Sequence, residues 1–308
     1  MKKAAKPVAD YIKPLNMNGM EGRMLKLPAP KNKTREILLI YGHHASIERM
    51  LGVAEELNKY GAVTLPDLPG FGGMDSFYSI GEKPHLDALA DYLAAFVKMR
   101  YRRKRFTIFA MSFGFVVATR MLQKYPELAS KVDLVVSIVG FVHKDAFVFK
   151  QSNYHLMRLG TSILSHRLPA AFVQHIALRP AFIRATYRLV ADTHVKLQDA
   201  NEAERDKRID FEVILWRIND VRTYMRTANI MFNLNLIGTR VQLPVWHVAV
   251  EPDRYFDNTV VEQHLHTIFT DVEVVHSKMK GHAPTVVATA KEAAPFIPPK
   301  IRRLLAQK

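Results

Sequence analysis

The chain has 308 residues, 48% of them hydrophobic, no cysteine, and a formal net charge of +15. That is enough apolar material to fill the core of one large domain or two ordinary ones. The missing cysteine excludes disulfides, a thiol nucleophile and thiolate metal sites, and no apolar run nears the roughly 18 to 20 residues that span a bilayer.

In chain order, "MKKAAK" has the charged start of a secretory signal. It is followed by "PVADYIKPLN", with Asp10 and two prolines in place of an apolar segment. The expectation is a cytoplasmic protein, with the periphery of a membrane as the other location. The first 35 residues are basic and turn-rich, and "EGRMLKLP" reads as an edge strand. A regular alternation starts after them. "EILLIYG" (36–42) reads as a strand, "SIERMLGVAEELNKYG" (46–61) as a helix ending in glycine, and "AVTLPDLPG" (62–70) as a second buried strand. A helix over 85–100, a strand over 105–111, a helix over 114–126 stopped by proline and a strand over 132–142 follow. Short continuous apolar runs between helical patterns imply right-handed crossovers and a parallel sheet covered on both faces.

From about 143 to 238 the pattern is helical only. The alternation resumes with "VQLPVWHVAV" (241–250), a helix near 258–269, "DVEVVHSK" (271–278) and a last helix after Pro284. The expectation is one α/β core, residues 1–142 and 239–308, interrupted by a helical insertion over 143–238.

The positive charge attracts polyanions such as nucleic acid or anionic lipid headgroups, and it also keeps a protein soluble. Its densest run, "KMRYRRKRF" (98–106), has six cations in nine residues. It joins a helix to a strand at the end of the sheet opposite the expected site. It therefore reads as surface, and nucleic acid is not an expected partner.

An open parallel sheet offers ligand sites at the carboxyl ends of its strands. Ser112 stands at such an end, after "FTIFAM", flanked by Ala110 and Gly114. Small flanks are what a nucleophile on a tight strand-to-helix turn needs; a plain helix cap is the competing reading. A serine hydroxyl needs a base. His282 follows the last strand in "KMKGHAPTV", with Gly281 to permit a turn and Pro284 to start a helix. The base needs a carboxylate, and "VAVEPDRYFDN" supplies Asp253, with Glu251 and Asp257 close by. The tetrahedral intermediate needs backbone donors. The Phe113 amide, next to the serine, is one; the His43 amide in "YGHHAS" is the other, with Gly42 allowing close approach. Adjacent His43 and His44 point apart without a carboxylate cluster, so no metal is expected. His247 and His276, inside strands, read as core or edge histidines.

These segments resemble the α/β-hydrolase superfamily over nearly the whole chain outside the insertion. "YGHHAS" is similar to the oxyanion loop, "DLPGFGGMD" (67–75) to the loop after the next strand, "AMSFG" to the nucleophile elbow and "GHAP" to the histidine loop. The resemblance implies a catalytic triad of Ser112, Asp253 and His282, an oxyanion hole at His43 and Phe113, and no cofactor. It also makes Asp145, after the 132–142 strand, a rival for the acid position. Two positions depart from the pattern. Tyr41-Gly42 stands for the usual histidine-glycine, which leaves a backbone donor intact, and Ala110 stands for the first elbow glycine, as in some lipases of the family. Haloalkane dehalogenases and epoxide hydrolases use aspartate, so Ser112 turns the expectation to a carboxylic-ester hydrolase acting on a small-molecule ester. A carbon–carbon bond hydrolase and a non-catalytic basic binding protein are the alternatives.

The resemblance implies that the helical insertion at 143–238 forms a cap over the site and is the main determinant of the substrate. Its stretch 151–190 has no Asp or Glu but five arginines, Arg158, Arg167, Arg179, Arg184 and Arg188, among many apolar residues. Such a segment either packs its apolar face inward as a plain cap, with its arginines in water, or serves an anionic lipid surface or an acidic substrate.

Overall fold

Continuous apolar runs need cover on both faces, and here they form the centre of a single eight-stranded sheet. The computed structural model describes residues 7–190, 201–279, 282 and 289–307. The strands are β1 (Ile12–Met17), β2 (Met20–Leu27), β3 (Arg35–Ile40), β4 (Gly61–Pro66), β5 (Phe106–Met111), β6 (Val132–Ile138), β7 (Val241–Val250) and β8 (Phe269–Ser277). Their order in the sheet is β1-β2-β4-β3-β5-β6-β7-β8. Strands β3 to β8 are parallel, and β1 and β2 pair antiparallel at the β4 side. Every residue of β4 and β5 is buried.

The N-terminal hairpin corrects one expectation. "EGRMLKLP" lies in β2, which has a neighbour on each side, and the edge is β1. The turn between them is Asn18-Gly19, with φ of 53° and 78°. A two-residue hairpin turn of this kind needs positive φ at both positions.

The helices outside the insertion are α1 (Leu51–Asn58), α2 (Leu86–Arg100), α3 (Phe113–Lys124) and α4 (Pro126–Ala129). Those of the insertion are α5 (Gln151–Leu164), α6 (Arg167–Phe172), α7 (Pro180–Leu189), α8 (Glu202–Ile218) and α9 (Val221–Met231). After β7 come α10 (Asn258–Ile268), α11 (Ala290–Ala293) and α12 (Pro299–Ala306). Helix α2 packs against α3, and α1 against α11. The expected turn at Gly281 and helix start at Pro284 lie outside the described residues. Among the described residues no helix is long and apolar enough to cross a membrane.

Two features of the topology position the site. Strands β3, β5, β7 and β8 run in one direction, so their carboxyl ends share one edge of the sheet. The chain also goes from β3 to β4 on one side and returns to β5 on the other. A crevice opens where strand order reverses in this way. The basic run 98–106 sits at the amino end of β5, where Lys98 pairs with Glu127, Arg100 and Lys104 with Glu36, and Arg105 with Asp133.

The insertion leaves β6 and returns to β7. Helices α5 and α6 pack on α9, and α7 on α8. The start of α9 is seated on the loop after β4. The Gly72 amide donates to Asn219 Oδ1 (2.8 Å), the Asp220 amide donates to the Gly70 carbonyl (2.8 Å), and the Ser76 and Thr223 hydroxyls share a hydrogen bond of 2.8 Å. Gly70, at φ 81°, lies so near Thr223 that a Cβ would stand 2.6 Å from its methyl carbon. Gly70 thus lets the insertion sit directly on the backbone of this loop.

Candidate active site

Strand β5 ends at Met111 and α3 starts at Phe113, which leaves Ser112 alone to redirect the chain. It does so at φ 47° and ψ −120°, a conformation that costs an L-residue on the order of 1–3 kcal/mol. Its amide donates to the Ile138 carbonyl at 2.9 Å, tying the turn to β6. The neighbouring backbone is close on both sides. A Cβ on Gly114 would stand 2.3 Å from the Tyr41 carbonyl oxygen and 2.9 Å from that of Ile40. A Cβ on Gly42 would stand 3.1 Å from Ser112 Cβ. Ala110 is fully buried and pairs with Ile40 on β3 and Ser137 on β6.

His282 Nε2 lies 2.9 Å from Ser112 Oγ, and its Nδ1 lies 2.7 Å from Asp253 Oδ2. A carboxylate only accepts, so Nδ1 carries the proton and donates it, and Nε2 presents a lone pair to the serine hydroxyl. Asp253 is held from its other side, where Oδ1 accepts from the amides of Tyr255 (2.8 Å) and Phe256 (3.3 Å). The rings of those two residues stand 5.1 and 5.3 Å from the His282 ring.

The three other carboxylates considered for this position are engaged elsewhere. Asp257 caps α10 by accepting from the Thr259 and Val260 amides. Glu251 pairs with His276 at 3.2 Å on the surface. Asp145 is exposed and pairs with Lys144 at 2.9 Å. His247 is buried against Ser137 Oγ at 3.0 Å, and burial lowers its pKa to about 4.

The two expected oxyanion donors flank the serine. Phe113 is the first residue of α3, so its amide has no partner inside the helix. His43 follows Gly42, the residue beside Ser112. Its side chain is anchored in the insertion, with Nε2 2.8 Å from Thr227 Oγ1 and 3.2 Å from the Tyr224 carbonyl. Burial, reinforced by His44, lowers the His43 pKa to about 3, so its ring is neutral. His44 diverges toward Glu212 and Asn219, at 3.3 Å from each. Among the described residues no group of three or more His, Cys, Asp or Glu could hold a metal ion.

Two buried charge clusters beside the site have no local motif. In the first, Glu212 of α8 pairs with Arg49 at 2.5 Å, and Arg49 also donates to the His44 carbonyl at 3.0 Å. Its one sequence signal is a lone carboxylate three residues from both Ile209 and Leu215, on the buried side of a helix. The second explains Tyr41. Its hydroxyl donates to Asp67 Oδ1 (3.0 Å) and accepts from the Leu68 amide (2.7 Å). Burial pushes the Asp67 carboxyl up. The Arg23 guanidinium at 2.9 Å opposes that rise, and the Ile47 amide donates to Oδ1 at 3.1 Å.

No family model and no curated protein sequence matches the chain. Solved structures do match it. A membrane phospholipase A, described as a bacterial virulence factor, aligns with a TM-score of 0.65 at 16% identity, over 96% of this chain and 87% of its own. An α/β hydrolase from a Medee basin deep-sea metagenome gives 0.64 at 12%, over 89% and 90%. A thermophilic esterase from Thermogutta terrifontis gives 0.56 at 16%, over 96% and 92%. The fold is that of the α/β hydrolases, as the quoted segments implied.

Proposed function

We infer that the protein is a serine hydrolase of carboxylic esters. The observation that carries this reading is the continuous hydrogen-bonded line from Asp253 through His282 to Ser112, with the serine on a strained turn beside Gly42. Ser112 Oγ attacks the ester carbonyl carbon while His282 Nε2 takes the hydroxyl proton. Asp253 keeps the imidazole in the required tautomer and stabilises the imidazolium. The His43 and Phe113 amides bind the oxyanion. The imidazolium then returns its proton to the departing alcohol, leaving an acyl-serine. Water, deprotonated by His282, releases the acid and restores the hydroxyl. Nucleophile, base and oxyanion donors are all protein groups, so the reaction needs no cofactor. Residues 143–238 act as a cap that sets the substrate. The esterase and phospholipase among the structural relatives agree with an ester, including a lipid-like acyl ester.

The test is hydrolysis of p-nitrophenyl esters of increasing acyl length by the wild type and Ser112→Ala, alongside labelling by a fluorophosphonate. The expected result is a rate that the substitution abolishes and a label mapped by mass spectrometry to Ser112. A label with no ester turnover would redirect the reading to another bond type. Neither label nor turnover would remove the enzyme reading.

A further inference from the structure

The insertion turns the usual arrangement of an amphipathic helix outward. On the side of α5 that meets α9, Tyr154 donates to the Phe232 carbonyl, and Thr161 and the Arg158 carbonyl accept from Asn229. On the opposite side Leu156, Leu159 and Ile163 face solvent. Their i, i+3, i+7 spacing makes one stripe. Helix α6 adds Leu168, 81% exposed, and Phe172, 64% exposed. In α7, Ile183 is buried while Phe182 is exposed, beside an open apolar recess of about 640 Å³ that it shares with Ile176 and Ala185. Nine of the thirteen large exposed apolar side chains among the described residues fall within 151–190. Scattered exposed leucines are ordinary, but a concentration on one face marks a surface that another body covers.

The charge on this face narrows what that body is. Residues 151–190 contain five arginines and no carboxylate. Arg184 and Arg188 reach down to Asp210 and Asp206 of α8. Arg158, Arg167 and Arg179 have no carboxylate partner among the described residues. A second copy docked face to face would oppose two cationic surfaces with no acid between them. A nucleic acid would meet the arginines and leave the leucine stripe in water. A bilayer with anionic headgroups satisfies both halves, because apolar side chains enter the acyl boundary while arginines bind phosphates above it.

We propose that the outer face of the insertion is a docking surface for membranes containing anionic phospholipid. Docking depends on the exposed residues of α5 to α7 and not on the chemistry at Ser112. The full-length protein is co-sedimented with vesicles of phosphatidylcholine alone and of phosphatidylcholine mixed with phosphatidylglycerol. The expected result is binding to the mixed vesicles only, weakened by added salt. Leu168→Ser with Phe172→Ser, and separately Arg158→Gln, Arg167→Gln and Arg179→Gln together, should each weaken binding at least about tenfold. All these side chains are exposed, so both variants keep the fold, and fluorophosphonate labelling of Ser112 should be unchanged. Equal binding by wild type and both variants would overturn the proposal, as would no binding to the mixed vesicles. A concentration-dependent dimer that the Leu168 and Phe172 substitutions abolish would assign the face to a second copy and also overturn it.

Discussion

At the scale of single residues, Ser112 carries a conflict between stability and chemistry. Its φ of 47° is a conformation that glycine would adopt freely and serine does not. Replacing it separates the two demands. Ser112→Ala and Ser112→Gly both remove the hydroxyl and leave His282 Nε2 without that partner, so both should be inactive. They differ in the backbone. Alanine keeps the Cβ and the strain, and glycine relieves the strain at some cost in unfolded-chain entropy. Ser112→Gly should therefore exceed Ser112→Ala in unfolding free energy by about 1 kcal/mol in urea titrations. Equal stability in the two variants would mean that the residue bears no strain, and the turn would lose its argument as a site built for a nucleophile.

At the scale of elements, two glycines beside Ser112 are tight to different degrees. The Gly114 position meets two backbone carbonyls of the β3 segment, one at 2.3 Å, so Gly114→Ala can be accommodated only by moving α3 or β3. It should cost several kcal/mol, on the order of 3 or more by analogy with overpacked cores, and be read as a lowered unfolding midpoint. Gly42→Ala is tight only against Ser112 Cβ, at 3.1 Å, with the Met111 carbonyl at an ordinary 3.5 Å, and needs a shift of a few tenths of an ångström. It should fold, cost about 1 kcal/mol, and lower kcat more than it raises KM, because the displaced part is the serine and the loop after β3. A Gly42→Ala enzyme with unchanged kcat would show that the loop does not set the reacting geometry. The same elements show how far the sequence is legible. Parallel strands buried on both faces read as continuous apolar runs, so β3 to β6 were visible, with ends up to four residues early at Pro66 and Ile138. The residues that leave those strands were visible with them, since Ser112, Asp253 and His282 follow carboxyl ends. The hairpin β1–β2 is only half legible, although Asn18-Gly19 is a local turn signal. What could not be read were partners set by packing. Nothing near Tyr41 announces Asp67, and nothing near Glu212 announces Arg49, 163 residues away. The first pair is set by the pairing of β3 with β4, and the second by how the insertion settles on the sheet.

At the scale of the whole molecule, the site and the insertion share a core that depends on neutral histidines. His43 joins the loop after β3 to α9, and His247 joins β7 to β6 through Ser137. Burial lowers their pKa values from the ordinary 6.5 to about 3 and about 4. The sign follows from proton counting. Below pH 6.5 the unfolded chain binds protons that the folded protein refuses, so unfolding free energy falls as pH falls, and the loss continues until the folded values are reached. Each histidine should remove roughly 2 kcal/mol of stability by about pH 5, relative to neutral pH. A chain already carrying +15 gains nothing to offset this from further protonation. Urea unfolding at about pH 7.5 and about pH 5 measures the sum, and His247→Gln isolates one share. Glutamine can keep a hydrogen bond to Ser137 but does not titrate, so the variant should lose roughly 2 kcal/mol less than the wild type over that interval. A variant with the same pH slope as the wild type would mean that His247 protonates as readily folded as unfolded, and the neutral core around the acid and base loops would no longer explain the acid limit.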